Sequence, residues 1–338
     1  MAHAESGAWQ GPTRLAAGES RASQGPTRLT ASASRASQRP TQFTAGQFEV
    51  AADDGLTLSG EQAGEGPPVV LLHGLTATRR YVVMGSRLLE RSGYRTIAYD
   101  ARGHGRSAPA SDAGAYGYEQ LAEDLAAVMD ALEVGRALVA GASMGALTAV
   151  RFALHHPERV AALGIVTPAY DPAAPSHLAG AGDTLMEDAR SHHTNYNALA
   201  EGLRGGGVDG FVAAYDFSNI PEQWRETVEK VMRQRLALHE HPLAVADAME
   251  VVPRSRPFAE LSDLAAIAVP TAVVASRDEV DPGHPLALAH TYAQTIPGAS
   301  FFVEEGGPVL RSPIAWQGGQ LSKILIELAS RADFDTPA

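Results

Sequence analysis

The pentapeptide Gly141-Ala142-Ser143-Met144-Gly145 decides how the rest of the chain is interpreted. It follows a short apolar run at residues 136–140 that is typical of a buried strand, and it precedes good helix formers at residues 146–156. A serine between two glycines at a strand-to-helix turn is typical of a nucleophile elbow, where small neighbours leave room for a strained backbone. Such a turn exposes the hydroxyl and aims the first N–H groups of the helix at one point. The stretch therefore predicts that Ser143 is a nucleophile, although the same pattern also occurs in ordinary turns.

The composition of the 338-residue chain narrows the class of protein. Cysteine is absent, which excludes disulfides, thiolate nucleophiles and cysteine-based metal sites. The formal net charge of −12 argues against a nucleic-acid partner, whose phosphates need a basic surface. The longest uncharged apolar runs, residues 137–150 and 264–276, are shorter than the ~20 residues that a bilayer crossing needs. We therefore expect a cytoplasmic globular protein with no membrane partner.

Residues 1–46 have a different composition from the rest of the chain. Residues 11–24 (GPTRLAAGESRASQ) and 25–38 (GPTRLTASASRASQ) form a tandem repeat. The segment is rich in Ser, Ala, Thr, Gly and Arg and has little apolar surface to offset the entropy of ordering, so we predict a disordered tail. An Arg- and Ser-rich N-terminus also resembles an organelle transit peptide, but the amphipathic helical stripe of such peptides is missing.

From residue 47 onward, predicted strands and helices alternate. Two antiparallel strands joined at Asp53-Asp54-Gly55 come first. Apolar strand patterns follow at residues 68–72, 94–99, 136–140 and 161–167, with helical patterns at 80–92, 118–132 and 146–156. The alternation predicts an α/β fold in which a mostly parallel sheet carries helices on both faces.

The alternation is interrupted once. Residues 171–263 show only helical patterns, and strands are predicted again at 271–275 and 300–303. A helical insertion between two strands of a parallel sheet lies naturally over the carboxyl edge of that sheet, where ligands bind. We therefore predict a core formed by residues 47–170 and 264–334, and a helical lid formed by residues 171–263.

Two further motifs stand at the ends of predicted strands. His73-Gly74 follows the strand at 68–72, and Asp100-x-Arg102-Gly103-x-Gly105-x-Ser107 follows the strand at 94–99. Together with the elbow, and in this order, they resemble the motifs of the α/β-hydrolase superfamily. The resemblance is to its lid-bearing branch of small esterases, lactonases, haloperoxidase-like enzymes and carbon–carbon bond hydrolases. It covers about residues 48–332 and implies the α/β-hydrolase fold.

The resemblance implies roles for individual residues. Ser143 would be the nucleophile, and the backbone N–H groups of Leu75 and Met144 would form the oxyanion hole. Fixed backbone donors suit this task because they face the charge that develops in the transition state. His73 is interpreted as a structural support for its loop, as are the charged residues of the second motif.

The acid and the base are harder to assign. Asp278 ends the penultimate strand and matches the acid position of the family, where it would hold the imidazole tautomer. Glu279 and Asp281 are rivals nearby, and Asp171 matches a second acid position known in the family. We assign the acid to Asp278 because it alone has the strand-end register.

The histidine that family members carry after the last strand is missing. The corresponding stretch is Gly306-Gly307-Pro308, and no histidine occurs after His290. Because a serine without a base is a poor nucleophile, we predict that His284, six residues past Asp278, substitutes as the base. His192 or His193 in the predicted lid could serve instead.

Three hypotheses follow from the missing histidine. The first is a serine hydrolase that cleaves a small ester, lactone or thioester through an acyl-enzyme on Ser143, without cofactor or metal. The second is a binding protein or pseudoenzyme that keeps the fold, and the third is a lyase-like or cofactor-independent oxygenase reaction in the same pocket. We favour the first, with a small-molecule substrate. His239 and His241 are interpreted as solvated loop residues, because no carboxylate cluster accompanies them.

Overall fold

The structure of the protein is a computed structural model. It describes residues 14–16, 46–172, 183–218, 220–277, 281, 283–303, 316 and 318–335, with backbone alone for residues 14–16 and 183–194. Asp278, Glu279 and Pro308 lie outside the described residues.

A single nine-stranded sheet forms the centre of the described structure, with strand order β1-β9-β8-β7-β6-β4-β5-β3-β2. The six strands from β9 to β5 are mutually parallel, whereas β1, β3 and β2 are antiparallel to their neighbours. The strands are β1 (Arg14–Ala16), β2 (Gly46–Ala51), β3 (Thr57–Ala63), β4 (Pro68–Leu72), β5 (Arg95–Tyr99), β6 (Ala137–Ala142), β7 (Val160–Val166), β8 (Thr271–Ala275) and β9 (Ser300–Val303).

Helices cover both faces of the sheet, which confirms the predicted α/β architecture. They are α1 (Leu88–Arg91), α2 (Tyr118–Ala131), α3 (Met144–His155), α4 (Asp183–Ala214), α5 (Glu222–Leu236), α6 (Pro242–Val251), α7 (Leu286–Thr295) and α8 (Gly318–Ala329). The apolar faces of α2, α3 and α7 bury one side of the sheet, and those of α1 and α8 bury the other. Strands between the two layers are apolar on both sides, so every residue of β7 and β8 is buried.

The segment between β7 and β8 is helical, as the sequence predicts. It holds α4, α5 and α6, and the described residues there include no strand. Inside α4, Gly207 has φ 58° and ψ −142°, so the helix breaks there and folds back. A Cβ atom on Gly202 would lie 2.5 Å from the carbonyl oxygen of Gly210, so the two limbs pack backbone to backbone. No helix among the described residues has the length and apolar character to cross a bilayer.

Two local features differ from the sequence prediction. Arg14–Ala16, inside the segment predicted to be disordered, form β1 and pair with β9, while the rest of residues 1–45 lies outside the described residues. The helix predicted at 80–92 is reduced to a 3-10 turn, Arg79–Tyr81, and the short α1. Met84 and Gly85 have φ 46° and 73°, which ends helical backbone between them. The backbone of Val83 packs so tightly on Gly318 that only glycine fits at that position.

A buried ion pair fixes the loop after β5. Arg102 donates from Nε and Nη2 to the two carboxylate oxygens of Asp124 on α2, at 2.8 and 2.7 Å. Its Nη1 donates to Asp54 in the β2–β3 turn at 3.1 Å and to the carbonyl of Ala115 at 3.0 Å. Arg102 and Asp124 are 3% and 1% exposed, so each charge depends on the other for its stabilisation. The bidentate pair therefore ties the loop to α2 and to the hairpin.

Asp124→Ala should destabilise the protein by about 3–5 kcal/mol, because it leaves the Arg102 guanidinium buried without its bidentate carboxylate. Urea unfolding at pH 7.5 measures this loss. Arg106→Ala is the control, because Arg106 and its partner Glu240 are both more than half exposed, and breaking such a pair should cost about 1 kcal/mol or less. Equal losses in the two variants would contradict the assigned importance of the buried pair.

Candidate functional site

Ser143 stands at the sharp turn between β6 and α3. Its backbone has φ 51° and ψ −113°, in a region of backbone angles that residues other than glycine rarely adopt. Two hydrogen bonds hold it there, because its N–H donates to the carbonyl of Val166 at 2.9 Å and its own carbonyl accepts from Leu147 at 3.1 Å. The turn therefore has the strained backbone that the sequence predicts for a nucleophile elbow.

Glycines on both sides of Ser143 allow the turn to close. A Cβ atom on Gly141 would lie 2.2 Å from the carbonyl carbon of Gly145, and one on Gly145 would lie 2.2 Å from the carbonyl oxygen of Leu72. Both distances are far below van der Waals contact and involve backbone atoms, which cannot move aside easily. The elbow is thus pressed against the end of β4, and a Cβ on Gly74 would lie 3.6 Å from that of Ser143.

His284 lies against the serine. Its Nε2 atom is 2.8 Å from Oγ of Ser143, and its Nδ1 atom is 2.8 Å from Oδ1 of Asp281. The turn that carries both residues is held by two backbone hydrogen bonds, from the N–H of His284 to the carbonyl of Asp281 (3.1 Å) and from the N–H of Asp281 to the carbonyl of Arg277 (3.0 Å). With the ring proton on Nδ1, the imidazole donates to the carboxylate and accepts the serine proton at Nε2.

The three residues thus form a chain of hydrogen bonds from a carboxylate to a hydroxyl. His284, the histidine that the sequence analysis proposes as the base, is thus in hydrogen-bond contact with the serine hydroxyl. The predicted acid, Asp278, lies outside the described residues, and the carboxylate that contacts His284 in the described part of the chain is its sequence rival Asp281. The side chains of His192 and His193 are likewise not described.

Two backbone N–H groups near the serine are available as donors. In the described residues, the N–H groups of Leu75 and Met144 have no hydrogen-bond acceptor, although both residues are buried. Met144 is the first residue of α3, where helix geometry leaves N–H groups without partners and favours negative charge. Leu75 lies in a turn that is closed by a hydrogen bond from the N–H of Ala77 to the carbonyl of Gly74. Buried donors without partners are rare in proteins and can bind an incoming oxygen.

Three buried histidines support the turn that contains Leu75. His73 contacts the carbonyl of Gly74 through Nδ1 at 2.8 Å and accepts the N–H of Ala101 at Nε2. The rings of His73 and His104 lie 5.2 Å apart, and those of His104 and His239 lie 5.6 Å apart. Both ring nitrogens of His104 face backbone carbonyls. Its Nε2 lies 2.5 Å from the carbonyl oxygen of Leu75, and its Nδ1 lies 2.9 Å from that of Arg102. A neutral imidazole has one N–H and can donate to only one of these two carbonyls. The shorter distance favours donation to the carbonyl of Leu75.

His239 connects the helical insertion to this turn. Its Nδ1 accepts the N–H of Gly105 at 2.9 Å, and its Nε2 faces the carbonyl of Thr76 at 3.3 Å. The residue is 8% exposed. The sequence interpretation of His239 as a solvated loop residue is therefore wrong, because the ring fills a gap between two loops that are distant in sequence. Sequence periodicity contains no signal for this contact.

Burial keeps these histidines neutral. Burial, together with the neighbouring His104, lowers the pKa of His73 and that of His239 to about 3. Burial also lowers the pKa of His104, against the effect of its carbonyl contacts. The cluster therefore acts as a set of neutral hydrogen-bonding groups that hold the Leu75 turn.

Charged residues hold the other side of the same turn. Asp100 accepts the N–H of Arg79 at 2.9 Å and also binds its guanidinium. Its second oxygen accepts the N–H of Arg106 at 3.1 Å, and a Cβ on Gly105 would collide with it. Asp100 and Arg79 are both buried. These contacts fit the structural role inferred from the sequence for the motif after β5.

Other features of the described residues lie away from the serine. A surface cavity of about 500 Å³ is lined by Arg151, His155 and Phe258 among others. Arg151 and His155 lie near the C-terminal end of α3, about 12–18 Å along the helix from Ser143. The described residues contain no group of three or more His, Asp or Glu placed to hold a metal ion.

Comparisons with known proteins agree with this architecture. A family model described as "alpha/beta hydrolase fold" matches residues 67–201. An epoxide hydrolase from Caballeronia sordidicola is 35% identical over 112 residues, which are 33% of this chain and 34% of that protein. The chain spans little more than a third of the length of the first curated relatives that it matches, 34–39%.

Solved structures match over a greater length. An esterase from Thermogutta terrifontis has a TM-score of 0.62 and 25% identity, and the match covers 84% of this chain and 96% of that one. An enol-lactonase from Burkholderia xenovorans LB400 has a TM-score of 0.61 and 21% identity, over 84% of this chain and 100% of that one. At this identity the lactonase shows similarity of fold alone.

The histidine cluster predicts acid sensitivity. In the unfolded chain His73 and His239 bind protons below their ordinary pKa near 6.5, whereas folding depresses each pKa to about 3. Their contribution to stability is therefore complete above pH 6.5 and is lost as the pH falls toward 3. Each histidine should lower the free energy of unfolding by about 1.4 kcal/mol per pH unit in this window. Urea unfolding between about pH 5.5 and pH 4.5, where the two histidines are protonated in the unfolded chain and neutral in the folded one, measures the slope.

His239→Gln is the matched variant for this prediction, because it removes one titrating group and keeps a polar side chain. Its unfolding free energy should depend on pH less steeply, by about 1.4 kcal/mol per pH unit. An unchanged slope would contradict a neutral, buried His239.

Gly145→Ala should disrupt the elbow. The added Cβ would overlap the backbone of Leu72 and His73, and overpacking of this kind costs about 1–3 kcal/mol. Gly135→Ala is the control, because a Cβ there meets no other atom within 4 Å. Thermal unfolding of both variants measures the difference, and equal midpoints would show that the elbow tolerates the overlap.

Proposed function

The chain belongs to the α/β-hydrolase superfamily, and on that premise we propose that it is a serine hydrolase acting through an acyl-enzyme on Ser143. The observation that carries the proposal is the contact of His284 Nε2 with Ser143 Oγ, with Asp281 on the other ring nitrogen. A carboxylate, an imidazole and a hydroxyl connected in this order form the arrangement that activates a serine. The proposed substrate is a small ester, lactone or thioester.

In the first half of the reaction, Ser143 attacks the carbonyl carbon of the substrate. His284 takes the hydroxyl proton at Nε2, while its Nδ1–H donates to Asp281, which holds the ring and stabilises the imidazolium. The carbonyl oxygen becomes an oxyanion, and the N–H groups of Leu75 and Met144 are the proposed donors to it. Loss of one such donor typically lowers the rate about 100- to 1,000-fold.

In the second half, the tetrahedral intermediate collapses. His284 gives the proton from Nε2 to the leaving oxygen or sulfur, which departs and leaves the acyl group on Ser143. Water then enters, His284 takes one of its protons, and the hydroxide attacks the acyl carbon through a second oxyanion. When this intermediate collapses, the bond from the acyl carbon to Oγ of Ser143 breaks, His284 returns the proton to Oγ, and the acid is released.

The ester and lactone classes are supported by the site and by the similar structures. In this proposal Ser143 is the nucleophile, His284 is the base, and the N–H groups of Leu75 and Met144 form the oxyanion site, which together are the groups that acyl transfer requires. The structurally similar proteins include one named as an esterase and one named as an enol-lactonase. The binding-protein hypothesis loses its main support, because it rested on a serine without a base.

Ser143→Ala and His284→Ala should each lower the turnover of p-nitrophenyl acetate and p-nitrophenyl butyrate by about 1,000-fold or more, because each removes a member of the same unit. His155→Ala is the matched control, since this histidine is exposed at the far end of α3, and should keep full activity. Absence of turnover in the native protein, with no labelling of Ser143 by a fluorophosphonate, would favour the binding-protein hypothesis instead.

Asp281→Asn and Asp278→Asn separate the two candidate acids. If Asp281 holds His284, its replacement should lower kcat by about 100- to 10,000-fold, because the amide favours the wrong tautomer, while Asp278→Asn should change kcat by less than about 10-fold. Kinetics with p-nitrophenyl butyrate measure both effects. The reverse pattern would return the acid to Asp278, the position that the sequence favours.

A further inference from the structure

Arg235, near the end of α5, is a partly buried cation without a carboxylate partner. Its Nε atom is buried and makes no hydrogen bond, and within the described residues no acidic side chain forms an ion pair with its guanidinium. Two other buried arginines differ from it, because Arg79 binds Asp100 and Arg102 binds Asp124. A guanidinium removed from water without a counter-charge is costly. An arginine in this state is suited to bind an anion that arrives from outside the chain.

The end of α5 that carries Arg235 lies near the turn that contains Leu75. Four residues later along the chain, His239 contacts Thr76 and Gly105 through its ring. The positive charge of Arg235 contributes to lowering the pKa of His73 and that of His239, after the larger effect of burial. The contact of His239 with Thr76, the residue after Leu75, therefore places the end of α5 beside one of the proposed oxyanion donors.

Arg235 also acts electrostatically on two tyrosines of the helical insertion. Its charge tends to lower the pKa of Tyr196 and that of Tyr215, in both cases against the larger effect of burial. The carboxylate of Asp281 acts on the same two hydroxyls in the opposite direction. Arg235 and Asp281 thus act on the same pair of tyrosines, and Arg235 belongs to the helical insertion between β7 and β8.

We propose that Arg235 is a specificity-determining residue that binds a carboxylate of the substrate, so that the ester or lactone that is hydrolysed also carries a free acid group. The proposal rests on the hydrolase function proposed for Ser143. A planar guanidinium offers parallel N–H donors that match the two oxygens of a carboxylate, and such bonds are stronger than those between neutral groups. Binding of the acid would provide the missing counter-charge and orient the scissile carbonyl toward the serine.

A pair of substrates that differ in one charge tests the proposal. The mono-p-nitrophenyl ester of glutaric acid carries a free carboxylate, and p-nitrophenyl hexanoate is a neutral ester of similar length. The native protein should have a higher kcat/KM for the acidic ester. Arg235→Gln should lower that kcat/KM by about 10- to 100-fold, as expected for the loss of a charge-assisted hydrogen bond, and should leave the neutral ester within about 2-fold. Arg235→Lys should retain part of the preference, because it keeps the charge and loses the fork.

Arg233→Gln is the matched control. Arg233 lies two residues earlier on α5, and its guanidinium pairs with Glu229 and Asp209 at the surface. The change removes the same charge from the same helix and should affect neither ester. Equal kcat/KM for the two esters in the native protein, or equal losses for both in Arg235→Gln, would overturn the proposal.

A binding measurement separates this proposal from the proposed function. Calorimetric titration with glutarate compares the Ser143→Ala variant with the double variant Ser143→Ala, Arg235→Gln. Glutarate should bind about 10- to 100-fold more tightly to the variant that retains Arg235. If glutarate binds in this manner but neither ester is hydrolysed by the native protein, the hydrolase function fails and the anion site stands. If the neutral ester is hydrolysed and glutarate binding does not depend on Arg235, the anion site fails and the hydrolase stands.

Discussion

The rest of the site depends on the left-handed backbone of Ser143. Such a conformation costs a residue with a side chain roughly 1–3 kcal/mol, so surrounding contacts must impose it. They come from Val166 on β7, from the first turn of α3, and from two glycines whose backbones touch their neighbours directly. The bend directs the chain from β6 into α3, so that the serine hydroxyl and the N–H of Met144 lie at the same edge of the sheet.

Around that fixed point, the loops at the carboxyl edge are held by polar groups that are almost wholly removed from water. Asp100 and Arg102 anchor the loop after β5 through ion pairs, and His73, His104 and His239 anchor the turn after β4 through neutral rings. The two kinds of anchor respond differently to conditions. Buried ion pairs require both partners, whereas the neutral rings hold only while the histidines remain unprotonated.

Much of the fold could be predicted from the sequence, because buried parallel strands are continuous apolar runs. β4, β8 and β9 have the bounds that the sequence predicts. The elbow could be predicted for a similar reason, since its glycines are local requirements of a local bend.

The prediction of one helix at residues 80–92 is wrong, because the interruption of that helix depends on the packing of Val83 against Gly318, which is far away in sequence. The burial of His239 arises in the same way, from loops that come together only in the folded chain. The acid stays a prediction, because a strand end points to Asp278, which lies outside the described residues, whereas in the described part of the chain the hydrogen bonds of one turn bring Asp281 to His284.

The short spacing between Asp281 and His284 has a consequence for how such a site can assemble. The two residues are three apart in the chain, whereas His284 and Ser143 are 141 apart. The entropy of closing a loop grows with the logarithm of its length, so Asp281 and His284 are brought together by their own turn almost independently of the rest of the chain. Only one long-range contact, between that turn and the elbow, then remains to be formed. In evolutionary terms, the pair can be gained, lost or moved as one short segment, without redesign of the sheet that presents the serine.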